Sequence, residues 1–312
     1  MASVTEIREQ SRQGKAPGSL GAAAPPCGRP LPVPGLEDRI HRISGVEREN
    51  HDLRGALYEA AQVQRKLCGP RYFRTASYEF ASEIFPVRHL SGDFIAVLEV
   101  EDDLVFAIGD IAGKGLAAGM WFTHVVGILR RALSSHGDPA SALTAADRDL
   151  SLSGLDAPLT TVFLARLSPA SGELTYSNAG HPPALLVRAG GEVEPLMAGG
   201  PVLGVLAGAP FVNGRTRLAP KDTLVAYSDG IAEWRDESET EFGSERLASA
   251  VRSFSALHSG AMLFSILAAL ETFGGSRHRE DDIALAVLRR LDSSGMGPED
   301  GPPRNGTERY GA

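Results

Sequence analysis

Four short acidic motifs spread along this chain of 312 residues hold its chemistry: Ser91-Gly92-Asp93-Phe94, the run from Ile108 and Gly109 through Asp110, Ile111, Ala112, Gly113 and Lys114 to Gly115, Tyr227-Ser228-Asp229-Gly230, and Glu280-Asp281-Asp282-Ile283. Each lies at the edge of an apolar, β-branched-rich run, where a strand would begin or end. Carboxylates delivered by strand ends to one place can hold hard divalent cations, because Mg²⁺ and Mn²⁺ prefer oxygen ligands. A metal-dependent hydrolase of phosphate esters follows as the leading chemistry. Taken singly, each aspartate has an ordinary structural role. Asp229-Gly230 is turn chemistry, Asp93 and Asp281 are strand-edge charges, and Asp110 is placed to cap a following helix. Taken jointly, they form a repulsive cluster with no Lys or Arg built into all four motifs, and a metal pair is the simplest counter-charge.

The elements that must position these residues are legible in the hydrophobic pattern. Strands are expected over 78–84, 94–100, 104–109, 161–167, 173–177, 184–187, 223–227 and 283–288. Turn signals at Glu101-Asp102-Asp103 and Ala170-Ser171-Gly172 make hairpins and therefore antiparallel pairs. In the first hairpin the residue entering one strand lies beside the residue leaving the next, so Asp93 and Asp110 can meet at one sheet end. Helices are expected over 116–133, 139–150, 244–254 and 261–273. Strands in blocks and helices in blocks imply an α+β antiparallel sandwich with helical layers outside. Gly113 and Gly115 let the backbone turn tightly after a strand. The N-terminus of the 116–133 helix then offers free N–H groups suited to phosphate. The spacing is not that of a Walker A loop.

Residues 36–67 read as a charged helix, closed by Gly69-Pro70. Val46, Asn50, Leu53, Leu57, Ala60, Gln64 and Leu67 alternate four and three apart, a heptad seam that fits either dimerisation or an amphipathic helix lying on its own domain. Four segments result: 1–35, rich in Gly, Pro and Ala and expected to be disordered; a helical linker at 36–68; a single folded domain at 70–290; and a disordered tail at 291–312.

Bulk composition narrows the classes. The net charge of −8 argues against non-specific nucleic-acid binding. Two cysteines, Cys27 and Cys68, form neither a disulfide framework nor a zinc cluster and suit a reducing cytoplasm. The N-terminus has no signal-peptide pattern, so the sequon at Asn305 carries little weight. Apolar stretches break before the ~18 residues that a membrane span needs.

The chain resembles the SpoIIE/RsbU-type bacterial serine phosphatases, a branch of the metal-dependent PPM (protein phosphatase 2C-like) family, over about residues 59–290. Besides the four motifs, the resemblance rests on the 61–67 segment, Ala117-Ala118, Thr160-Thr161-Val162-Phe163, Asn178-Ala179-Gly180-His181-Pro182-Pro183, Gly200-Pro201-Val202-Leu203-Gly204, the continuation to Ile231-Ala232-Glu233, and Phe242-Gly243. It implies an α-β-β-α sandwich and a site for two Mn²⁺ or Mg²⁺ ions. Asp110 would bridge them, Asp229 and Asp281 would complete one site, and Asp93 with the main-chain carbonyl of Ile111 would serve the other. It further implies attack by metal-activated water on phosphoserine or phosphothreonine, with a phosphorylated STAS-domain anti-anti-sigma factor as substrate and partner in a partner-switching pathway. A catalytically silent docking module and a metalloenzyme acting on nucleotides are the rival classes. Departures from the family pattern are Ser91, Ala96 and Ala284. Ala112 and Gly113 stand where some relatives carry a histidine acid, so no side-chain general acid is assigned. His181 fits either substrate contact or a packed turn, Lys114 either phosphate contact or solvation, and Asp282 either a third-metal ligand or an exposed neighbour of Asp281.

Overall fold

The structure is a computed structural model that describes residues 36–100, 102–154 and 157–292. Residues 1–35 and 293–312, for which disorder is expected, lie outside these, as do Glu101 and Cys27. By internal contacts the chain divides into two compact units, Met1–Asp52 and Leu53–Ala312. Helix α1 (Leu36–Leu67) begins in the first and ends in the second. Ile43 and Val46 of the first unit are exposed, as is Leu53 at the start of the second.

The second unit continues with β1 (Tyr72–Arg74), β2 (Tyr78–Phe85), β3 (Phe94–Val100), β4 (Asp103–Ile111), α2 (Leu116–Ser135), α3 (Pro139–Leu152), β5 (Thr160–Leu167), β6 (Glu173–Ala179) and β7 (Ala184–Val187). Then come β8 (Val193–Leu196), β9 (Gly199–Gly200), β10 (Gly214–Arg217), β11 (Thr223–Tyr227), α4 (Asp229–Ala232), α5 (Gly243–Ser253), α6 (Ser259–Gly274) and β12 (Ile283–Arg290). One sheet runs β1-β2-β12-β11-β7-β8 and the other β10-β6-β5-β4-β3, with β9 beside β6. The pairings are antiparallel except β6 with β9, so the second sheet is mixed at that point.

Period-two alternation builds the layers. On β4, Leu104, Phe106 and Ile108 enter the cluster between the sheets, while Val105 and Ala107 enter the cluster beneath α2 and α3. On β12, Ala284, Ala286 and Leu288 face between the sheets, and Ile283, Leu285 and Val287 pack under α5 and α6. Three cores between four layers give the α-β-β-α sandwich that the sequence implies. The middle core is aromatic: Phe163 stacks on Tyr176 at 5.7 Å and tilts against Phe106 at 6.1 Å.

The eight strands expected from the sequence are present: three with the expected bounds, four extended by one or two residues, and β4 by three. Asp103 is the first residue of β4, paired with Val100, and not part of the turn. β4 also runs on through Asp110 to Ile111, so Asp110 is a strand residue. The α2 N-cap is Gly115, which excludes Asp110 as a helix cap. Asp229 opens the short helix α4 where a turn is the sequence's expectation. The four unexpected strands, β1, β8, β9 and β10, are two to four residues long, too short for a period to register. The closing turns of α1 lie on their own domain: Gln64 is buried, and the Leu67 carbonyl accepts from Arg130.

Phe163 is fully buried at the centre of this aromatic contact. Phe163→Ala should therefore cost ~3–5 kcal/mol, read as a lowered denaturant midpoint with an unchanged slope.

Candidate functional site

Strand register brings the motifs together. Phe94 pairs with Gly109 on β3 and β4, which sets Asp93 opposite Asp110. Asp93 shares the face of Ile95 and Val97, and Asp110 that of Ile108, so both carboxylates point between the sheets at one end. From the other sheet, Tyr227 pairs with Leu285, so the Ser228-Asp229 and Asp281-Asp282 segments arrive together. Gly230 makes this approach possible: a Cβ there would stand 2.0 Å from the Asp282 carbonyl oxygen. Gly92 does the same for the first sheet, where a Cβ would lie 2.8 Å from the Ile111 carbonyl oxygen and 3.0 Å from Asp110 Oδ1.

The electrostatics are those of a carboxylate cluster. Burial, followed by the Asp110 charge, holds Asp93 well above the usual carboxylate range, with the Ser228 hydroxyl opposing. Burial and the charges of Asp229, Asp281 and Asp282 push Asp110 up to about 6. Asp229 is raised by burial and by Asp281. Asp93 is 2% exposed, and its Oδ2 has no hydrogen-bond partner among the described residues. A buried carboxylate oxygen with no partner is costly unless a cation completes it.

Lys114 supplies part of the missing charge. Its Nζ lies 2.9 Å from Asp281 Oδ1 and donates to the Glu280 carbonyl at 3.0 Å. Its ammonium pKa is raised chiefly by the hydrogen bond to Asp281. Lys114 is therefore neither simply solvated nor free for phosphate in this arrangement.

Asp282 is not the exposed neighbour of Asp281. It is buried and accepts from Val87 N at 2.7 Å, Gly92 N at 2.8 Å and Ser91 Oγ at 2.9 Å. These bonds fix the loop that delivers Asp93. Gln64 holds the same loop from α1: its Nε2 donates to the Ser91 carbonyl at 2.7 Å and its Oε1 accepts from Ser91 N at 3.1 Å. His181 is buried, and its main chain is bracketed by the Asn178 side chain at 2.7 and 2.8 Å. It is the packed turn, not a substrate contact. The role of Asp282 had a sequence signal in the β12 alternation, which places it on the face of Ala284 and Ala286. Gln64 had none, because a polar residue on a heptad seam looks the same whether it faces a partner helix or its own domain.

Among the described residues, no group of three His, Cys, Asp or Glu side chains stands gathered to hold an ion. The donor set still fits one. It is all oxygen, it carries an unpartnered buried carboxylate atom, and burial with neighbouring carboxylates raises the pKa of Asp93 and Asp110.

The family model for stage II sporulation protein E (SpoIIE) matches residues 101–291, well over half of the chain. The chain belongs to the SpoIIE family. The match spans Asp110, Asp229 and Asp281, while Asp93 lies just before it. Among SpoIIE-related proteins, it is 24% identical to the phosphoserine phosphatase RsbU of Bacillus subtilis, over 80% of this chain and 73% of that protein. It is 26% identical to protein IcfG of Synechocystis sp., over 68% of this chain, and it spans 38% of the length of that protein. The SiaA-PP2C domain of Pseudomonas aeruginosa superposes with a TM-score of 0.68 at 22% identity, covering 78% of this chain and 99% of that one. The chain thus shares the PP2C fold.

The raised pKa of Asp110 has a signed consequence for the metal-free protein. Its folded value of about 6 exceeds the ordinary 3.8, so the folded chain keeps a proton that the unfolded chain releases, and stability falls as pH rises through that window. In EDTA, Asp110→Asn should be more stable than wild type at pH 7, by ~1 kcal/mol after solvent screening of this partly exposed group. The advantage should vanish near pH 4. Equal denaturation midpoints at pH 7 would refute this account.

Proposed function

We propose that this protein is a metal-dependent protein serine/threonine phosphatase of the cytoplasm. It would remove phosphate from phosphoserine or phosphothreonine on a STAS-domain protein in a partner-switching pathway. The observation that carries this reading is the approach of Asp93, Asp110, Asp229 and Asp281 from two sheets to one end of the intersheet space, where burial and neighbouring carboxylates raise the pKa of Asp93, Asp110 and Asp229. Membership of the SpoIIE family and likeness to a phosphoserine phosphatase favour a phosphoprotein as substrate.

In this reading Asp93, Asp110, Asp229 and Asp281, with the Ile111 carbonyl, would hold two Mn²⁺ or Mg²⁺ ions, Asp110 being shared between the Asp229–Asp281 side and the Asp93–Ile111 side. Bound divalent ions supply Lewis acidity, lowering the pKa of water and offsetting charge on the phosphoryl oxygens. The chain's own part is placement. β3 and β4 hold Asp93 and Asp110 rigidly, Gly92 leaves the Ile111 carbonyl uncovered by a Cβ, and Asp282 fixes the loop above them. Lys114, released from Asp281, would stand within reach of the phosphate as a point charge. No side chain is assigned as general acid, since Ala112 and Gly113 carry no acidic group and His181 is buried.

The cavity beside Asp281, about 290 Å³ and lined by Trp234, Arg235, Arg277 and His278 among others, gives the polypeptide flanking a phosphoserine a place to lie. The exposed Ile43, Val46 and Leu53 of α1 favour a homodimer formed through the 36–67 helix.

Purified protein should release phosphate from a phosphorylated STAS-domain protein in Mn²⁺, and EDTA should abolish this. Asp110→Asn should slow release ~10²-fold or more. A metal-independent rate, or an unchanged rate in the variant, rules the reading out; metal binding without turnover would instead favour the silent docking module. Light scattering should give a dimer mass for the full chain and a monomer mass once residues 1–52 are removed.

A further inference from the structure

The chain passes from the second sheet to the first at residues 180–183, between β6 and β7. His181 sits in that crossover, 4% exposed, with its main chain fixed on both sides by Asn178. Its Nδ1 lies 2.8 Å from Thr161 Oγ1. Thr161 is the cross-strand partner of Asp110, shares the intersheet face of Phe163 and Ala165, and its Oγ1 accepts from Asp110 N at 3.3 Å. On the other side of the ring, the polar influence is the main-chain carbonyl of Tyr227, two residues before Asp229. The ring therefore stands between the strand that carries Asp110 and the strand that leads to Asp229.

We propose that His181 and Thr161 are a positioning pair that couples the two sheets beneath the carboxylate cluster and thereby sets its affinity for divalent cations. The proposal rests on the metal reading given above and adds residues that touch neither metal nor substrate.

The hydrogen-bond inventory selects one arrangement. Burial holds the imidazole neutral, so one ring nitrogen donates and the other accepts. Thr161 Oγ1 already accepts from Asp110 N, which leaves its proton for Nδ1 and the ring proton on Nε2, a nitrogen that makes no full hydrogen bond among the described residues. Nδ1 then accepts from the Thr161 hydroxyl, whose oxygen in turn accepts from the Asp110 amide. Each group holds the next in one orientation. A hydroxyl lost from the middle would leave a buried ring nitrogen unpaired and free the ring's tautomer, while Asp110 would lose part of its anchor.

The test pairs Thr161→Val, which keeps the volume and removes the hydroxyl, with Thr161→Ser, which keeps the hydroxyl. Mn²⁺ affinity is measured by calorimetry on the full chain, and thermal melting is followed in EDTA. Thr161→Val should melt lower than wild type in EDTA and also bind Mn²⁺ ~10-fold more weakly, with Thr161→Ser restoring most of both losses. A merely structural role predicts a lowered melting temperature with unchanged affinity. Independently of metal, the ¹⁵N ring signals of wild-type His181 in EDTA, assigned by their loss in His181→Gln, should report the Nε2–H tautomer. Wild-type affinity in Thr161→Val, or an Nδ1–H tautomer in wild type, overturns the proposal. Absence of Mn²⁺ binding by wild type overturns the metal reading itself and this role with it.

Discussion

Like charges gathered where water is scarce are the constraint on which the rest of this structure depends. Asp110 lies on the intersheet face of β4, Asp93 and Asp282 stand just before β3 and β12, and Asp229 and Asp281 close the same end from α4 and the loop before β12. A sandwich that buried this set without compensation would be driven apart by several kcal/mol per unpaired charge. The compensation is distributed unevenly. Asp282 is neutralised in effect by three short hydrogen bonds, Asp281 by Lys114, and Asp93 by little more than a serine hydroxyl. That imbalance separates Asp282, whose carboxylate is fully engaged, from Asp93, whose Oδ2 has no hydrogen-bond partner among the described residues.

The fold serves this end of the molecule by being rigid everywhere else. Phe80, Phe106, Phe163 and Tyr176 fill the space between the sheets, and helix pairs seal both outer faces. Antiparallel register then transmits that rigidity to the ends of β3, β4, β11 and β12. A slip of one residue on β3 or β4 would turn Asp93 or Asp110 away from the cluster, and the alternation of large apolar residues forbids it. Packing remote from the chemistry thus fixes its geometry.

Much of this was legible in the sequence because it is periodic. The runs before Asp110 and Asp229 and after Asp93 and Asp281 announce strands, and hairpin spacing places Asp93 opposite Asp110. What was hidden is aperiodic or long-range. β8, β9 and β10 are too short to show a period, and their residues include the strand-poor Gly and Pro. The Asp282 bonds to Val87 and Gly92 join residues 195 and 190 positions apart, which no local pattern encodes. Lys114 reaches Asp281 across 167 positions because the 113–115 turn folds back toward the other sheet, so a cation absent from the acidic motif at 280–283 arrives from another. Gln64 belongs to a heptad seam in sequence and to the Ser91 loop in space.

The cluster divides into a fixed half and an adjustable half. Asp93 and Asp282 are almost wholly buried, and Asp110 is tied through Thr161 to a buried imidazole; their positions follow from the core. Asp281 and Lys114 are each nearly half exposed, and an ion pair so exposed is held by ~1 kcal/mol or less. A divalent cation entering the cluster would meet carboxylates on one side that cannot retreat and one on the other whose present partner is easily exchanged. On the proposed metal reading, the first half would favour binding because burial and the charges around Asp93 and Asp110 already disfavour their ionised forms in the folded state, and an ion would relieve this. The second half keeps the site open to exchange. Lys114, once displaced, remains tethered by the 113–115 turn at the mouth of the site, where an anionic substrate would next arrive.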